Sequence, residues 1–268
     1  MENWFSIMVK KIVLYDKFSN FTSEKEQKDL RYNYLKYLKE HVKGFSKTSL
    51  KIIKLRNFDK RFEIEINSPD ERFMVNLLKK EVGLITNFND VKVGQEYKGS
   101  MIDVGKVGFG IFVDCGILNP KVDVLINLVT LRDQLCQGNE KSTREIIKAY
   151  NFIDNFPLVI KTTGIDSNNN TIKGEIAKTS LDLLNKITDE KIEGIFANGA
   201  TKNQLKKALI KTGHLRDIIT IKRYGFLDNI VLFKENTNAP GIIANIGKYL
   251  TRCKLVALRY QNISKLTE

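Results

Sequence analysis

The sequence predicts an α+β protein of several domains, in which a β-barrel lies between two small α/β modules. The length of 268 residues is that of two or three domains and can bury a sizeable core. Helix-capping signals alternate with short apolar strands near both ends of the chain. Between them the pattern changes to strands separated by glycines, which predicts domains over residues 1–88, 89–178 and 179–268.

The N-terminal module is predicted to have the order βαββα. Ser23 and Glu26 are spaced as a capping box, which marks the start of the first helix. The alternation of Phe62, Ile64 and Ile66 with glutamates is typical of a half-buried strand. The predicted elements are a strand over 8–15, a helix from Ser23 to about residue 42, strands over 50–55 and 62–66, and a helix opened by Ser68-Pro69-Asp70.

The C-terminal module is predicted to be a small α/β domain, ferredoxin-like or similar. Thr201 and Gln204 form a second capping-box pair, and Gly213 follows the end of that helix. The predicted elements are helices over 180–187 and 201–211, strands over 218–221 and 226–233, a helix from Asn238, and a strand over 255–260.

Five predicted strands in the middle of the chain indicate an OB-type barrel. Gly110 lies inside the second of them, where a glycine usually marks a bulge or the strong coiling that a small barrel needs to close. The predicted strands are 96–104, 108–114, 122–128, 158–163 and 171–177, with a helix over 142–150 before the last two.

This central segment resembles the S1 family of RNA-binding domains. The residues that carry the resemblance are Val93-Gly94, Tyr97, Gly99, Phe109-Gly110, Phe112-Val113-Asp114, Leu125-Ile126, Leu131 and Asp166. The resemblance implies an S1-like OB barrel that binds RNA. Asn127 stands where the third strand of the family typically has a histidine, and an asparagine can hydrogen-bond a base but stacks on it less well.

The chain as a whole also resembles a family of archaeal proteins that place such a barrel between two α/β segments and have no established reaction. Asn238-Ala239-Pro240-Gly241-Ile242-Ile243, Ile246-Gly247 and Leu250 contribute to this resemblance. The resemblance of this family to translation or RNA-handling factors comes from the barrel.

Two aromatic residues are the main candidates for stacking on bases. The S1 resemblance assigns this role to Phe109 and Phe112. Because they are three residues apart, strand alternation places them on opposite faces unless Gly110 resets the phase, and we expect Phe109 to be the outward one. The other candidate RNA contacts are Lys98, Lys106, Asn127, Arg132 and Lys161 in the barrel and Lys206, Lys207, Lys222 and Arg223 after it.

Positive charge is concentrated outside the barrel. The net charge is +13, from 44 basic and 31 acidic residues. Residues 91–178 contribute only +1, from 11 basic and 10 acidic side chains, whereas residues 179–268 contribute +7, from 15 and 8. An excess of lysine and arginine raises the local concentration of polyanions. The expected partners are therefore RNA and, among RNA-containing particles, ribosomal subunits. The alternative is that these lysines only solvate the surface.

The sequence gives no support for catalysis or for a bound cofactor. Its two histidines, His41 and His214, stand apart, and no carboxylates have metal-ligand spacing. Three cysteines without a CxxC pair favour a reducing cytoplasm. Trp4 and Phe5 are soon followed by Lys10 and Lys11, which predicts no signal peptide, and no apolar run is long enough for a membrane span.

We therefore expect a non-catalytic RNA-binding protein that acts on ribosomal or other structured RNA. The alternative is a protein–protein adaptor that uses a degenerate S1-like barrel within a ribosome- or RNA-polymerase-associated complex.

Overall fold

A computed structural model describes residues 8–18, 21 and 23–268, arranged in two compact units, residues 1–86 and residues 87–268. Trp4 and Phe5, which contribute to the prediction of no signal peptide, lie outside the described residues. The finer division of the second unit at residue 178 stays a prediction.

The first unit has the predicted order βαββα around a three-stranded antiparallel sheet. Its strands lie in the order β1-β3-β2. The elements are β1 (Met8–Lys17), α1 (Glu24–His41), β2 (Ser49–Leu55), β3 (Arg61–Ser68) and α2 (Glu71–Glu81). The capping box of Ser23 and Glu26 is present, and Phe62, Ile64 and Ile66 are all buried, as predicted.

The second helix of this unit begins slightly later than the sequence suggests. Asp70 is the N-cap, and its side chain accepts a hydrogen bond from the Phe73 N–H at 2.9 Å. The buried face of this helix consists of Met74, Leu78 and, just after its end, Val82. Phe73 is consequently about half exposed, because it falls outside that spacing of four residues.

The second unit opens with a closed five-stranded barrel. The barrel elements, preceded by the two-residue strand β4 (Thr86–Asn87), are β5 (Glu96–Ile102), β6 (Gly110–Leu118), β7 (Val122–Asn127), α3 (Leu128–Leu135), α4 (Thr143–Tyr150), β8 (Pro157–Asp166) and β9 (Thr171–Ile176). β5 pairs with β6 and β8, and β7 pairs with β6 and, in parallel, with β9. The antiparallel pairing of β8 with β9 completes the ring. The alternation of β7 points Val122, Val124 and Ile126 into the barrel, where all three are buried.

The rest of the second unit is a four-stranded antiparallel sheet with one helix before it, two helices between its strands and a short helix at its end. Its elements are α5 (Lys178–Asp189), β10 (Glu193–Asn198), α6 (Lys202–Lys211), β11 (Ile218–Arg223), β12 (Asp228–Phe233), α7 (Ala239–Ile246), β13 (Lys254–Arg259) and α8 (Tyr260–Ile263). In the sheet the strands lie in the order β11-β12-β10-β13, and the chain connects them in the order β10-α6-β11-β12-α7-β13. This is the split βαβ arrangement of ferredoxin-like domains.

The sequence prediction missed β10, which is the strand between β12 and β13. Residues 193–197 are all buried, so this strand shows none of the alternation that reveals a half-buried strand. Gly194 further weakens the strand signal in the sequence.

The two faces of this sheet pack against different layers. On one face Phe196 contacts Phe156, which follows α4, with ring centroids 5.0 Å apart, and Ile230 and Leu258 join the same core as the barrel interior. The other face is covered by α6 and α7. Its core comprises Ile195, Val231, Leu205, Leu209, Ile242 and Ile246. The sheet therefore lies between the barrel and the α6–α7 layer.

Candidate nucleic-acid interface

Phe109 and Phe112 lie together on the outside of the barrel. Phe109 ends the loop between β5 and β6 and is 55% exposed. Its ring contacts that of Phe112 edge to face, with centroids 6.1 Å apart. Phe112 is half-buried and points outward, because its neighbours Ile111 and Val113 point into the core. The expectation that the two rings take opposite faces is therefore wrong, since Phe109 precedes the strand and does not follow its alternation.

Gly110 allows this arrangement by bringing β6 close to β7. It pairs with Asn127, and a Cβ atom built on it would overlap the Ile126 carbonyl oxygen. Only glycine therefore lets the first residue of β6 approach the last residues of β7 this closely.

Hydrogen bonds fix the loop that carries Phe109. The Phe109 carbonyl accepts from the Leu128 N–H at 2.8 Å, and the Gly108 carbonyl accepts from the Thr143 hydroxyl at 2.7 Å. At the start of the loop, the Val104 N–H donates to the Asp154 carboxylate at 2.9 Å. Sequence reasoning missed Thr143, because no local signal links it to a carbonyl 35 residues away.

An outward row of apolar side chains continues from the aromatic pair. Ile102 and Leu125 are the register partners of Phe112 on β5 and β7, and both are partly exposed. Neighbouring partners on one face of a sheet lie about 5 Å apart. We call the surface formed by Ile102, Phe109, Phe112 and Leu125 the barrel face.

Asn127 lies beside the barrel face but has a structural task. Its Oδ1 accepts from the Thr130 N–H at 2.9 Å and so caps α3. We expect Asn127→Ala to lower the free energy of unfolding by about 1 kcal/mol, because the helix loses its cap. Denaturant unfolding should show this loss and its recovery in Asn127→Ser, which keeps a capping oxygen. An equal loss in both variants would contradict the capping role.

Two predicted cations lie at the same end of the barrel as Phe109, and both already have partners. Lys106 donates to the Asp103 carboxylate at 2.6 Å, and this bond raises the pKa of the ammonium group. Arg132 donates from Nε to the Lys141 carbonyl at 2.7 Å and thereby ties α3 to the segment before α4.

Lys98 and Lys161 lie away from the aromatic pair. Lys98 is four residues from Ile102 on the same face of β5, a separation of about 13 Å. Lys161 lies on β8, and its ammonium group is 3.3 Å from the Glu175 carboxylate. The structure therefore does not join these two lysines to the barrel face.

The four predicted cations of the C-terminal region are also dispersed. Lys206 and Lys207 are exposed on α6, in the layer on the far side of the sheet from the barrel. Lys222 and Arg223 are consecutive residues of the edge strand β11, so they point to opposite faces of the sheet.

Within the described residues, no group of three or more histidine, cysteine and carboxylate side chains is arranged to hold a metal ion. Cys115, Cys136 and Cys253 are free thiols, and burial raises the pKa of the last two. No helix in this part of the chain combines the length and apolar character of a membrane span.

Three solved structures share weak similarity with the chain. Uncharacterized protein MJ1198 from Methanocaldococcus jannaschii is 16% identical over 33% of this chain and 96% of its own, with a TM-score of 0.23. A chain of the a/eIF2alpha-aDim2p-rRNA complex from Pyrococcus horikoshii is 12% identical over 46% of this chain and 64% of its own, with a TM-score of 0.25. The alpha subunit of aIF2 from Pyrococcus abyssi is 10% identical over 63% and 97%, with a TM-score of 0.21.

Sequence comparison gives a more direct relationship. No curated protein matches the chain significantly. The family model for the DUF2110 central domain matches residues 91–188, and that for the DUF2110 C-terminal domain matches residues 192–258. The chain is thus similar to the DUF2110 family over more than half of its length, from the barrel to the last strand of the four-stranded sheet.

Proposed function

We propose that this protein binds RNA without catalysing a reaction, and that its barrel is an S1-like OB domain which holds single-stranded segments of ribosomal or other structured RNA. The observation that carries the proposal is the outward Phe109–Phe112 pair. The proposed setting is translation or RNA metabolism in the cytoplasm.

The position of the pair suits nucleic acid. OB barrels bind oligonucleotides on the face of their second and third strands and on the loop between the first two. In this barrel those elements are β6, β7 and the loop over residues 103–109, which together carry most of the barrel face. An aromatic ring held on a fixed loop can stack on a base with little loss of conformational entropy, and stacking contributes about 1–3 kcal/mol per base.

Most of the positive charge that would attract RNA lies outside the barrel. The barrel contributes little to the net charge of +13, so the flanking segments supply most of the attraction for a polyanion. This attraction is independent of sequence and weakens as salt is added. Stacking on the barrel face would then add a contribution that is less sensitive to salt.

The proposal is tested by measuring the affinity of the full-length protein for single-stranded RNA and for ribosomal RNA at several salt concentrations. We expect binding that weakens steeply with salt, and at least a tenfold loss in the Phe109→Ala/Phe112→Ala variant, equivalent to about 1.4 kcal/mol. Tyr32→Ala, which removes an aromatic ring that is 71% exposed on α1, is the control and should leave affinity unchanged. Absence of binding by the wild type at low salt would refute the proposal.

A second candidate, a protein–protein adaptor within a ribosome- or RNA-polymerase-associated complex, is favoured by one observation. The barrel face is apolar, and Lys106, in the loop that carries Phe109, already has a carboxylate partner. Co-sedimentation with ribosomal subunits from a lysate distinguishes the candidates. An association that survives RNase and is lost in Phe109→Ala/Phe112→Ala favours the adaptor, whereas loss on RNase treatment favours RNA binding.

A further inference from the structure

We propose a second site for single-stranded nucleic acid on the α6–α7 layer, centred on Tyr249. The site consists of Lys207, Lys211, Lys248 and Tyr249, and we call it the C-terminal patch. It would take the same class of ligand as the barrel face, and in that respect it rests on the proposed function. Lys207 of this patch was also among the predicted RNA contacts.

An exposed ring surrounded by cations defines the patch. Tyr249 follows α7 and is 45% exposed. The ammonium groups of Lys211, at the end of α6, and of Lys248 each lie 5.3 Å from the centroid of its ring. Lys207 is exposed one turn before Lys211, on the same side of the helix.

The lysines of the patch are available for phosphate groups. Within residues 87–268, all of which are described, Lys207, Lys211 and Lys248 have no carboxylate within ion-pair distance. By contrast, Lys106 and Lys161 of the barrel are both paired with carboxylates. A cation already paired with a carboxylate gains less from a phosphate, so the patch suits a polyanion better than the barrel does.

Packing between helices fixes the patch. His214 follows α6, and its Nδ1 lies 2.9 Å from the Asp217 carboxylate while its Nε2 lies 3.1 Å from the side-chain nitrogen of Asn245 on α7. Leu250, directly after Tyr249, is buried in the core beneath α6 and α7. These contacts fix the backbone of the two segments that carry Lys211 and Tyr249, so the exposed tyrosine ring is a suitable platform for a base.

A flexible single strand of RNA supplies the two kinds of group that this arrangement would hold, namely bases and phosphates. A base can stack on the exposed part of the tyrosine ring, while the mobile lysine side chains move to the phosphates on either side of that base. Because the patch and the barrel lie on opposite sides of the four-stranded sheet, each would bind its own segment of a long RNA. Two linked contacts of this kind increase the overall affinity without any new interaction.

The experiment measures binding of fluorescent oligouridine to the full-length protein by anisotropy, in the wild type and in the Phe109→Ala/Phe112→Ala background. In both we expect about a tenfold loss of affinity from Tyr249→Ala and little change from Tyr249→Phe, which keeps the ring. Lys211→Gln/Lys248→Gln should cause a comparable loss. Lys178→Gln/Lys265→Gln removes the same charge from exposed positions outside the patch and is the matched control.

Each outcome separates the two sites. If Tyr249→Ala has no effect while the barrel variant loses binding, the patch is refuted and the proposed function stands. If only the patch variants lose binding, the patch stands and the barrel is not the RNA site. If the control pair weakens binding as much as Lys211→Gln/Lys248→Gln, the effect is one of net charge and the patch is refuted.

Discussion

Replacing Gly110 by alanine should lower the free energy of unfolding of residues 87–268 by about 3 kcal/mol, at the upper end of the cost of overpacking a core. The added methyl group would meet the Ile126 carbonyl oxygen and the Asn127 Cα atom, both on the backbone of β7. A backbone atom cannot rotate away as a side chain can, so β6 and β7 must separate. Urea unfolding followed by circular dichroism should show the loss, and hydrogen exchange should locate it in these two strands.

Gly108 provides a matched control two residues earlier. A Cβ atom built on it has no heavy atom within 4 Å, and its backbone does not have a positive φ. Gly108→Ala should therefore change the free energy of unfolding by less than about 1 kcal/mol. We expect the change to be a stabilisation, because alanine restricts the unfolded chain more than glycine does. Equal destabilisation by the two substitutions would show that close approach at Gly110 is not the cause. Since Gly110 follows Phe109 directly, Gly110→Ala should also weaken RNA binding, whereas Gly108→Ala should not.

Glu193→Ala should destabilise the same unit by about 3 kcal/mol, because it removes a buried charge from two donors. Glu193 is 4% exposed on β10. One carboxylate oxygen accepts from the Ala239 N–H at 2.7 Å at the start of α7, and the other accepts from Arg259 Nε at 3.0 Å on β13. The substitution would therefore leave a buried N–H and a guanidinium group without their acceptor.

Two further variants, Glu193→Gln and Glu190→Gln, provide a partial substitution and an exposed control for this prediction. Glutamine keeps one acceptor oxygen, so Glu193→Gln should lose roughly half as much stability as Glu193→Ala. Glu190 is exposed and lies 3.5 Å from Lys186, an ion pair of the kind that contributes at most about 1 kcal/mol. If thermal unfolding showed that Glu190→Gln lowers the stability of the protein more than Glu193→Ala does, the role assigned to the buried carboxylate would be contradicted. Failure of Glu193→Ala to fold, with Glu193→Gln folded but weakened, would agree with it.

The two proposed RNA contacts differ in what each contributes. The barrel face presents aromatic and aliphatic side chains, and the cations nearest to it are engaged with protein acceptors. The C-terminal patch presents a single ring among three lysines that have no carboxylate partner within the described part of the chain. We therefore expect mutations in the patch to reduce the salt dependence of binding, and mutations on the barrel face to reduce affinity with little change in that dependence.

Local signals in the sequence determined much of the fold. The capping boxes at Ser23 and Thr201 start helices where predicted, because a side chain that caps a helix does so within four residues. The alternation in β3 identified its buried face for a similarly local reason. Where the local pattern is absent, as in the buried strand β10, the prediction failed.

The sequence also predicted the candidate binding residues of the barrel, Phe109 and Phe112, with a glycine between them, and it indicated that positive charge lies mostly elsewhere. The tertiary structure decided which of these residues lie together. Only the closed barrel shows that both rings share one face and that the Lys161 ammonium group on β8 meets the Glu175 carboxylate on β9. Tyr249 meets Lys211 only because α6 and α7 pack on the same side of the sheet, across 38 residues of chain. Such contacts depend on how distant segments pack, and no local pattern in the sequence encodes them.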